Sequence, residues 1–193
     1  MIVGVMDVDD LLPEDRMPEA EVALRLAFWL LEHPEGEDRA EVAIDGAQVR
    51  IGGDQVFALE EFMRVSGWEH EPTGLGRWQG TYRKNGKRID IHSRPGVGDV
   101  VGNVNNRTIR AECKKGPLIL KRGGPEYPLL REALAQLLTV EEAGEEDVLV
   151  AAVPKAARFP TLAAAWSNRP LMRRVGIRIA LVGRDGAVEG LDL

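Results

Sequence analysis

The sequence predicts a mixed α/β domain, a sheet of parallel and antiparallel strands flanked by helices. Three observations carry this. From residue 55 onward the pattern reads helix, three or so strands, helix, strand, helix, strand, and the later helical connections permit parallel neighbours. The run Val148-Leu149-Val150-Ala151-Ala152-Val153 is apolar at every position, as a strand covered on both faces must be. Residues 107–115 instead alternate, with Thr108, Arg110, Glu112 and Lys114 polar and Ile109, Ala111 and Cys113 between them, the period of a strand with one buried face.

Taken in order, residues 1–8 read as a short strand and a loop with Pro13 follows. Pro18-Glu19 then opens a helix over 20–32, with proline in the first turn and acids at the positive helix end. Val22, Leu24, Leu26, Phe28 and Leu30 make it apolar over a broad arc. Val42 and Ile44, then Asp45-Gly46, then Val49 and Ile51 predict a β-hairpin, because Asp-Gly suits a tight two-residue turn. These features define an N-terminal helix and hairpin extension over 1–53, placed before an α/β core over 54–193.

Asp54 is an N-cap residue for a helix over 55–66, with Val56, Leu59, Phe62 and Met63 as its buried stripe and Gly67 closing it. Residues 78–94 form a long hairpin turned at Asn85-Gly86. Asp99 starts a strand through Val100-Val101, and Asn105-Asn106 turns it into the strand 107–115, so that Asp99 comes beside Glu112. Gly116-Pro117 breaks that strand and 121–125 is a basic, glycine-rich loop. A helix over 126–140 follows, with Leu130, Ala133, Leu134, Leu137 and Leu138 as its apolar face. The strand 148–153, a helix over 161–174 kinked or split at Pro170, and a strand over 177–182 complete the chain.

Composition bounds the function. At 193 residues, 44% hydrophobic and 29% charged, the chain reads as one soluble unit. A single cysteine rules out an internal disulfide and fits the cytoplasm. No basic leader and no apolar run near ~20 residues is present, so neither secretion nor a membrane partner is expected. The net charge of −6 is unevenly placed: residues 76–131 carry 13 Lys and Arg against 4 Asp and Glu, and the rest 12 against 27. A locally basic block is what meets a phosphate backbone. Arg83, Lys84, Lys87, Arg88, Lys115, Lys121 and Arg122 are its candidate nucleic-acid contacts. Trp78 and Tyr82 read either as cross-strand packing or as platforms for bases.

Within that block, Glu112 and Lys114 leave one strand face about 6–7 Å apart at Cα. Two carboxylates near 4 Å repel by about 4 kcal/mol at an effective dielectric of 20, so Asp99 beside Glu112 calls for a cation. Mg²⁺ suits, because it takes oxygen ligands and is held by one or two carboxylates plus a phosphate. Lys114 then orients or deprotonates a water, or stabilises developing negative charge, which suits hydrolysis of a phosphodiester. The competing reading is a solvated Glu112–Lys114 surface pair. The glycine-rich run around Asp99 is not a dinucleotide fingerprint, since a strand and not a helix follows it.

Asp99 followed thirteen residues later by Glu112-Cys113-Lys114 resembles the PD-(D/E)xK nuclease superfamily, over residues 56–153. The resemblance implies a restriction-endonuclease-like fold in which Asp99, Glu112 and the Cys113 backbone carbonyl bind Mg²⁺, with Mn²⁺ able to substitute, while Lys114 assists the nucleophile. It implies further that an acid of the first core helix supplements the metal, and Glu60 is the residue so placed. Gly98 stands where the family name records proline. The function expected is a divalent-metal-dependent endonuclease acting on DNA, of restriction, repair or defence type, with a homodimer possible. The alternative is a non-catalytic nucleic-acid-binding or partner-binding module that retains the nuclease fold.

Overall fold

The computed structural model describes residues 8–72, 74, 76–94, 96, 98–140, 143, 144 and 146–193. A 3₁₀ turn (Val8–Leu11) leads into β1 (Arg16–Met17), α1 (Glu19–Glu32), β2 (Gly36–Ala43), α2 (Gly46–Val49), β3 (Arg50–Ile51), β4 (Asp54–Gln55) and α3 (Leu59–Val65). Then come β5 (Glu69–Pro72), β6 (Gly80–Lys84), β7 (Lys87–His92), β8 (Val100–Val104), β9 (Arg107–Cys113) and β10 (Gly116–Pro117). The chain ends with α4 (Glu126–Leu137), β11 (Val148–Pro154), α5 (Phe159–Ser167), α6 (Pro170–Val175), β12 (Arg178–Val182) and β13 (Val188–Glu189). The short strand read over 1–8 lies, apart from Val8, outside the described residues.

Nine strands form one mixed sheet in the order β13-β12-β11-β9-β8-β2-β7-β6-β5. β11 runs parallel to both β9 and β12, and β2 runs parallel to β7; the other pairings are antiparallel. The apolar run of β11 divides by alternation between two cores. Val150 and Ala152 join α1, Val42, Val100, Ile109, Ala111 and Cys113 on one face. Ala151 and Val153 join Leu130, Ala133, Phe159, Ile179 and Leu181 on the other, under α4 and α5. This second face is polar from β9 outward, and Arg39, Glu41, Arg88, Asp90 and Arg110 are all engaged in ion pairs there.

Two expected elements differ. Asp45-Gly46 does not turn a hairpin: the Asp45 side chain accepts from the Ala47 N–H at 2.9 Å and caps the one-turn helix α2. β2 therefore does not fold back on 49–51; it lies between β7 and β8 in the middle of the sheet. Residues 1–53 thus supply a central strand and the helix that covers it. Asp54 likewise caps no helix. It pairs with Ile51 in the small β3–β4 hairpin, and α3 starts at Leu59, leaving Val56 exposed while Leu59, Phe62 and Met63 are buried as expected. At the other end α4 stops at Leu137, and Leu138 faces solvent. The turns at Asn85-Gly86 and Asn105-Asn106 and the split at Pro170 are as the sequence predicts.

The start of α1 is fixed by a buried charge. Glu21 is fully buried and accepts from Arg25 Nε at 2.9 Å and from Arg184 Nε and Nη2 at 2.9 and 3.0 Å. Arg184 also donates to the Pro13 and Arg16 carbonyls at 2.8 and 3.0 Å, and Arg25 donates to the Arg184 carbonyl at 2.7 Å. The turn after β12 is thereby bolted to the first turn of α1. Removing Arg184 leaves a buried carboxylate with one partner fewer, at a cost on the order of 3 kcal/mol. Arg184→Met should therefore lower the urea midpoint by that equivalent without changing the slope of the transition.

Candidate active site

The site forms where β9 runs on past the start of β8. The chain enters β8 through Gly98, whose φ is +102°, and a Cβ there would lie 2.9 Å from the Ala111 carbonyl oxygen. That close approach lets Asp99 N–H donate to Ala111 O at 2.7 Å, while Ala43 N–H donates to Asp99 O at 2.8 Å. Asp99 is thus pinned to β9 on one side and to β2 on the other. Its side chain then takes the place a further β8 residue would occupy: Oδ2 accepts from Cys113 N–H at 2.7 Å. In an antiparallel pair a strand residue turns its N–H and C=O to the same edge, so the Cys113 carbonyl faces the Asp99 side too.

Glu112 and Lys114 bracket Cys113. Lys114 is held by its own N–H donating to Ala152 O at 2.9 Å, and its nearly buried Nζ lies 3.0 Å from Glu112 Oε1 and 3.5 Å from Glu132 of α4. A third acid comes from α1. Glu19 Oε2 accepts from the Lys115 N–H at 3.4 Å, and Oε1 accepts from Gln48 Nε2 of α2 at 2.8 Å. Asp99 and Glu112 line one hollow of about 510 Å³, together with Gln48, Ser93, Arg94 and Gln136.

Acid outweighs base in this group, and proton affinities record it. Burial, then the charge of Glu112, pushes Asp99 up to about 7, against the hydrogen bond from Cys113. Burial raises Glu19 too, opposed by Lys114 and Lys115 and reinforced by Glu112. Burial would lower Lys114, but its hydrogen bond to Glu112 and the charges of Glu112, Glu19 and Asp99 prevail and hold it above an ordinary lysine. Lys114 is therefore favoured as the ammonium. Burial drives the Cys113 thiol well above its usual range, which removes it as a nucleophile.

The donors on hand are carboxylate and carbonyl oxygens, the type that hard divalent cations take. Among the described residues, no three His, Cys, Asp or Glu side chains already converge as a ready-made metal cage. Asp99 is turned to Cys113 N–H and Glu112 to Lys114. Oxygen chemistry and charge fit such an ion, and each of these carboxylates keeps a second oxygen with no hydrogen bond among the described residues.

Asp99, Glu112, Cys113 and Lys114 are thus brought together as the sequence suggests, and Glu60 is not among them. Glu60 lines a separate cleft with Arg50, Arg77 and Trp78, because α3 packs beside β5 and not at the β8–β9 end. Several expected nucleic-acid contacts are spent inside the protein. Arg83 pairs with Glu71 at 2.9 Å, Arg88 with Asp90 at 2.8 Å, and Lys84 Nζ donates to Ser66 O at 2.8 Å. Lys121 stands 3.8 Å from Asp15. Lys87, Lys115 and Arg122 carry no side-chain ion pair among the described residues. Tyr82 is buried and stacks on His70 at 4.4 Å between centroids, so it packs and does not present a face to bases.

Glu19, Gln48, Arg94 and Glu132 went unrecognised in the sequence. The signal for Glu19 was its place in the first turn of α1, which read as an ordinary acid at a helix N-terminus. Comparison with family models, with curated proteins and with solved structures gives no significant match for this chain.

Two outcomes follow from this geometry. An acid whose pKa rises on folding binds protons as the chain folds, so the Asp99 contribution is intact below about pH 4, erodes between about 4 and 7, and is lost above 7. The ceiling on that loss is about 4 kcal/mol. Asp99→Asn should raise stability in EDTA at pH 8 by ~1–3 kcal/mol and change it little at pH 4, as read by urea unfolding. Gly98→Pro, which restores the residue in the superfamily's name, should cost about 3 kcal/mol or more in the same assay. Proline fixes φ near −65° and cannot adopt the +102° this position uses.

Proposed function

We propose that this chain is a divalent-metal-dependent endonuclease of the PD-(D/E)xK superfamily, with a restriction-endonuclease-like fold, that hydrolyses phosphodiester bonds in DNA. The observation that carries the reading is the meeting of Asp99 and Glu112, from adjacent strands, in one hollow beside a buried Lys114 ammonium. A mixed sheet with α1 over one face and α4 over the other at the site supports the same fold.

Asp99, Glu112, Glu19 and the Cys113 carbonyl are the residues that would hold Mg²⁺ or Mn²⁺. Bound there, such an ion relieves the acid excess and acidifies a coordinated water. Glu132 and Glu112 restrain Lys114, so its charge is fixed before substrate arrives. Lys114 places that charge where negative charge develops on phosphoryl oxygens, and it spends no energy on reorganisation during the reaction. Gln48 orients Glu19, and Gln136 and Arg94 line the mouth through which a phosphate enters. Arg94 has no ion-pair partner among the described residues and offers a forked donor to that phosphate.

A second reading has its own support. With Glu112 tied to Lys114 and no three-acid cage among the described residues, the chain suits a module that binds nucleic acid without cutting it. Nicking of supercoiled plasmid in Mg²⁺ or Mn²⁺ separates the two. The nuclease reading expects cleavage that EDTA stops, and a fall of at least about 100-fold in Glu112→Ala and Lys114→Met. It also expects Mn²⁺ to raise the melting temperature of the wild type but not of Glu112→Ala. Equal nicking by wild type and Glu112→Ala removes the catalytic assignment; salt-dependent DNA binding with no metal-stimulated nicking establishes the second reading.

A further inference from the structure

The arginines of the β6–β7 hairpin are committed to carboxylates, so unpaired guanidinium groups must be sought elsewhere. The Arg50 and Arg77 side chains make no ion pair and no hydrogen bond among the described residues. Both line a cleft of about 240 Å³ with Gln55, Glu60 and Trp78. Buried Phe57 and Leu59 also line it, so the cleft combines charged and polar groups with an apolar lining. It adjoins the acidic hollow: the short helix α2 and the residue after it supply Gln48 to the hollow and Val49 and Arg50 to the cleft.

The lining narrows the ligand. Two unpaired guanidinium groups on one cleft repel each other and are relieved by an anion, and their planar donors match phosphate oxygens in pairs. An indole in the same cleft adds a surface on which a base stacks. Glu60 makes the cleft a poor site for an isolated polyanion, but its carboxylate accepts from an amino group on a base edge. At about 240 Å³ the space is below that of most drug-sized sites, so it takes one nucleotide unit and no duplex.

We infer that this cleft is a subsite for one nucleotide of a single-stranded flank of the substrate, next to the phosphate that enters the acidic hollow. Arg50 and Arg77 hold its phosphate and Trp78 carries its base. The inference rests on reading the hollow as the cutting site, and it accounts for what the acidic hollow lacks, a strong attachment for a polyanion.

The test measures binding apart from cleavage. Anisotropy of a 5′-fluorescein 12-nucleotide single-stranded DNA is titrated in EDTA at several salt concentrations with the full chain. Arg50→Ala/Arg77→Ala should bind about 10-fold more weakly, and its log K against log salt should flatten by about 0.7, for the one phosphate the pair holds. Trp78→Leu should weaken binding with no change in that slope. Trp78 also touches the core, so its melting temperature is recorded; the exposed arginine pair carries the test regardless. Arg173→Ala/Arg174→Ala, on α6, should leave affinity and slope unchanged. The subsite is overturned if the Arg50/Arg77 variant keeps wild-type affinity and slope, if the α6 pair loses as much, or if the wild type binds no single strand. Plasmid nicking in Mn²⁺ on the same proteins keeps the two ideas apart. Wild type that binds through the cleft but never nicks sinks the nuclease and supports the subsite; a nicking wild type whose arginine variant binds unimpaired does the reverse.

Discussion

One main-chain residue organises the candidate site. Cys113 sits at the last position of β9 with no β8 residue left to pair with it, and the Asp99 carboxylate fills that vacancy. The hydrogen bond costs β8 nothing, since the strand has already ended, and it fixes an acid against a strand whose flanking residues are Glu112 and Lys114. Glu19 closes on the same segment through the Lys115 N–H. Three acids are thereby positioned by the backbone of two strands and one helix terminus, not by contacts among themselves. A site held in this way tolerates repulsion between its carboxylates, because the backbone bonds that place them belong to the sheet.

The glycine at 98 belongs to the same constraint. Asp99 can reach back along β9 only if the preceding residue turns through positive φ and lies almost against the Ala111 carbonyl. Proline meets neither condition. The residue at 98 is therefore set by how the chain enters β8.

The strands, their turns and the Asp99–Glu112–Lys114 group were legible because they depend on short-range signals: alternation over 107–115, the Asn turns, and an apolar run at 148–153. What sequence reading misjudged traces to one dipeptide. Asp45-Gly46 has the chemistry of a hairpin turn and also that of a helix cap, and only tertiary pairing decides between them. Reading it as a turn detached β2 from the sheet and α1 from the core. α3 then looked like the first core helix, and Glu60 like an acid of the site, whereas it is Glu19 of α1 that meets the Lys115 N–H just past β9. Leu138 and Val56 were misplaced for a smaller reason: a helical stripe does not report where the helix stops.

The basic block shows why charge counted along a chain is a weak guide to a binding surface. Of the cations at 83, 84 and 88, one meets a carboxylate on the neighbouring strand, one a carboxylate on its own strand and one a main-chain carbonyl, so each already has a partner. Arg50 lies outside the block altogether and Arg77 at its margin, yet both remain uncompensated beside the site. An acid-rich hollow attracts a polyanion only when fixed cations stand close by and are not already spent. The useful quantity is charge left over after internal pairing, and by that measure the Arg50 and Arg77 side chains count for more than the arginines of the β6–β7 hairpin. The same measure applies to Lys114, whose charge is met by Glu112 and Glu132.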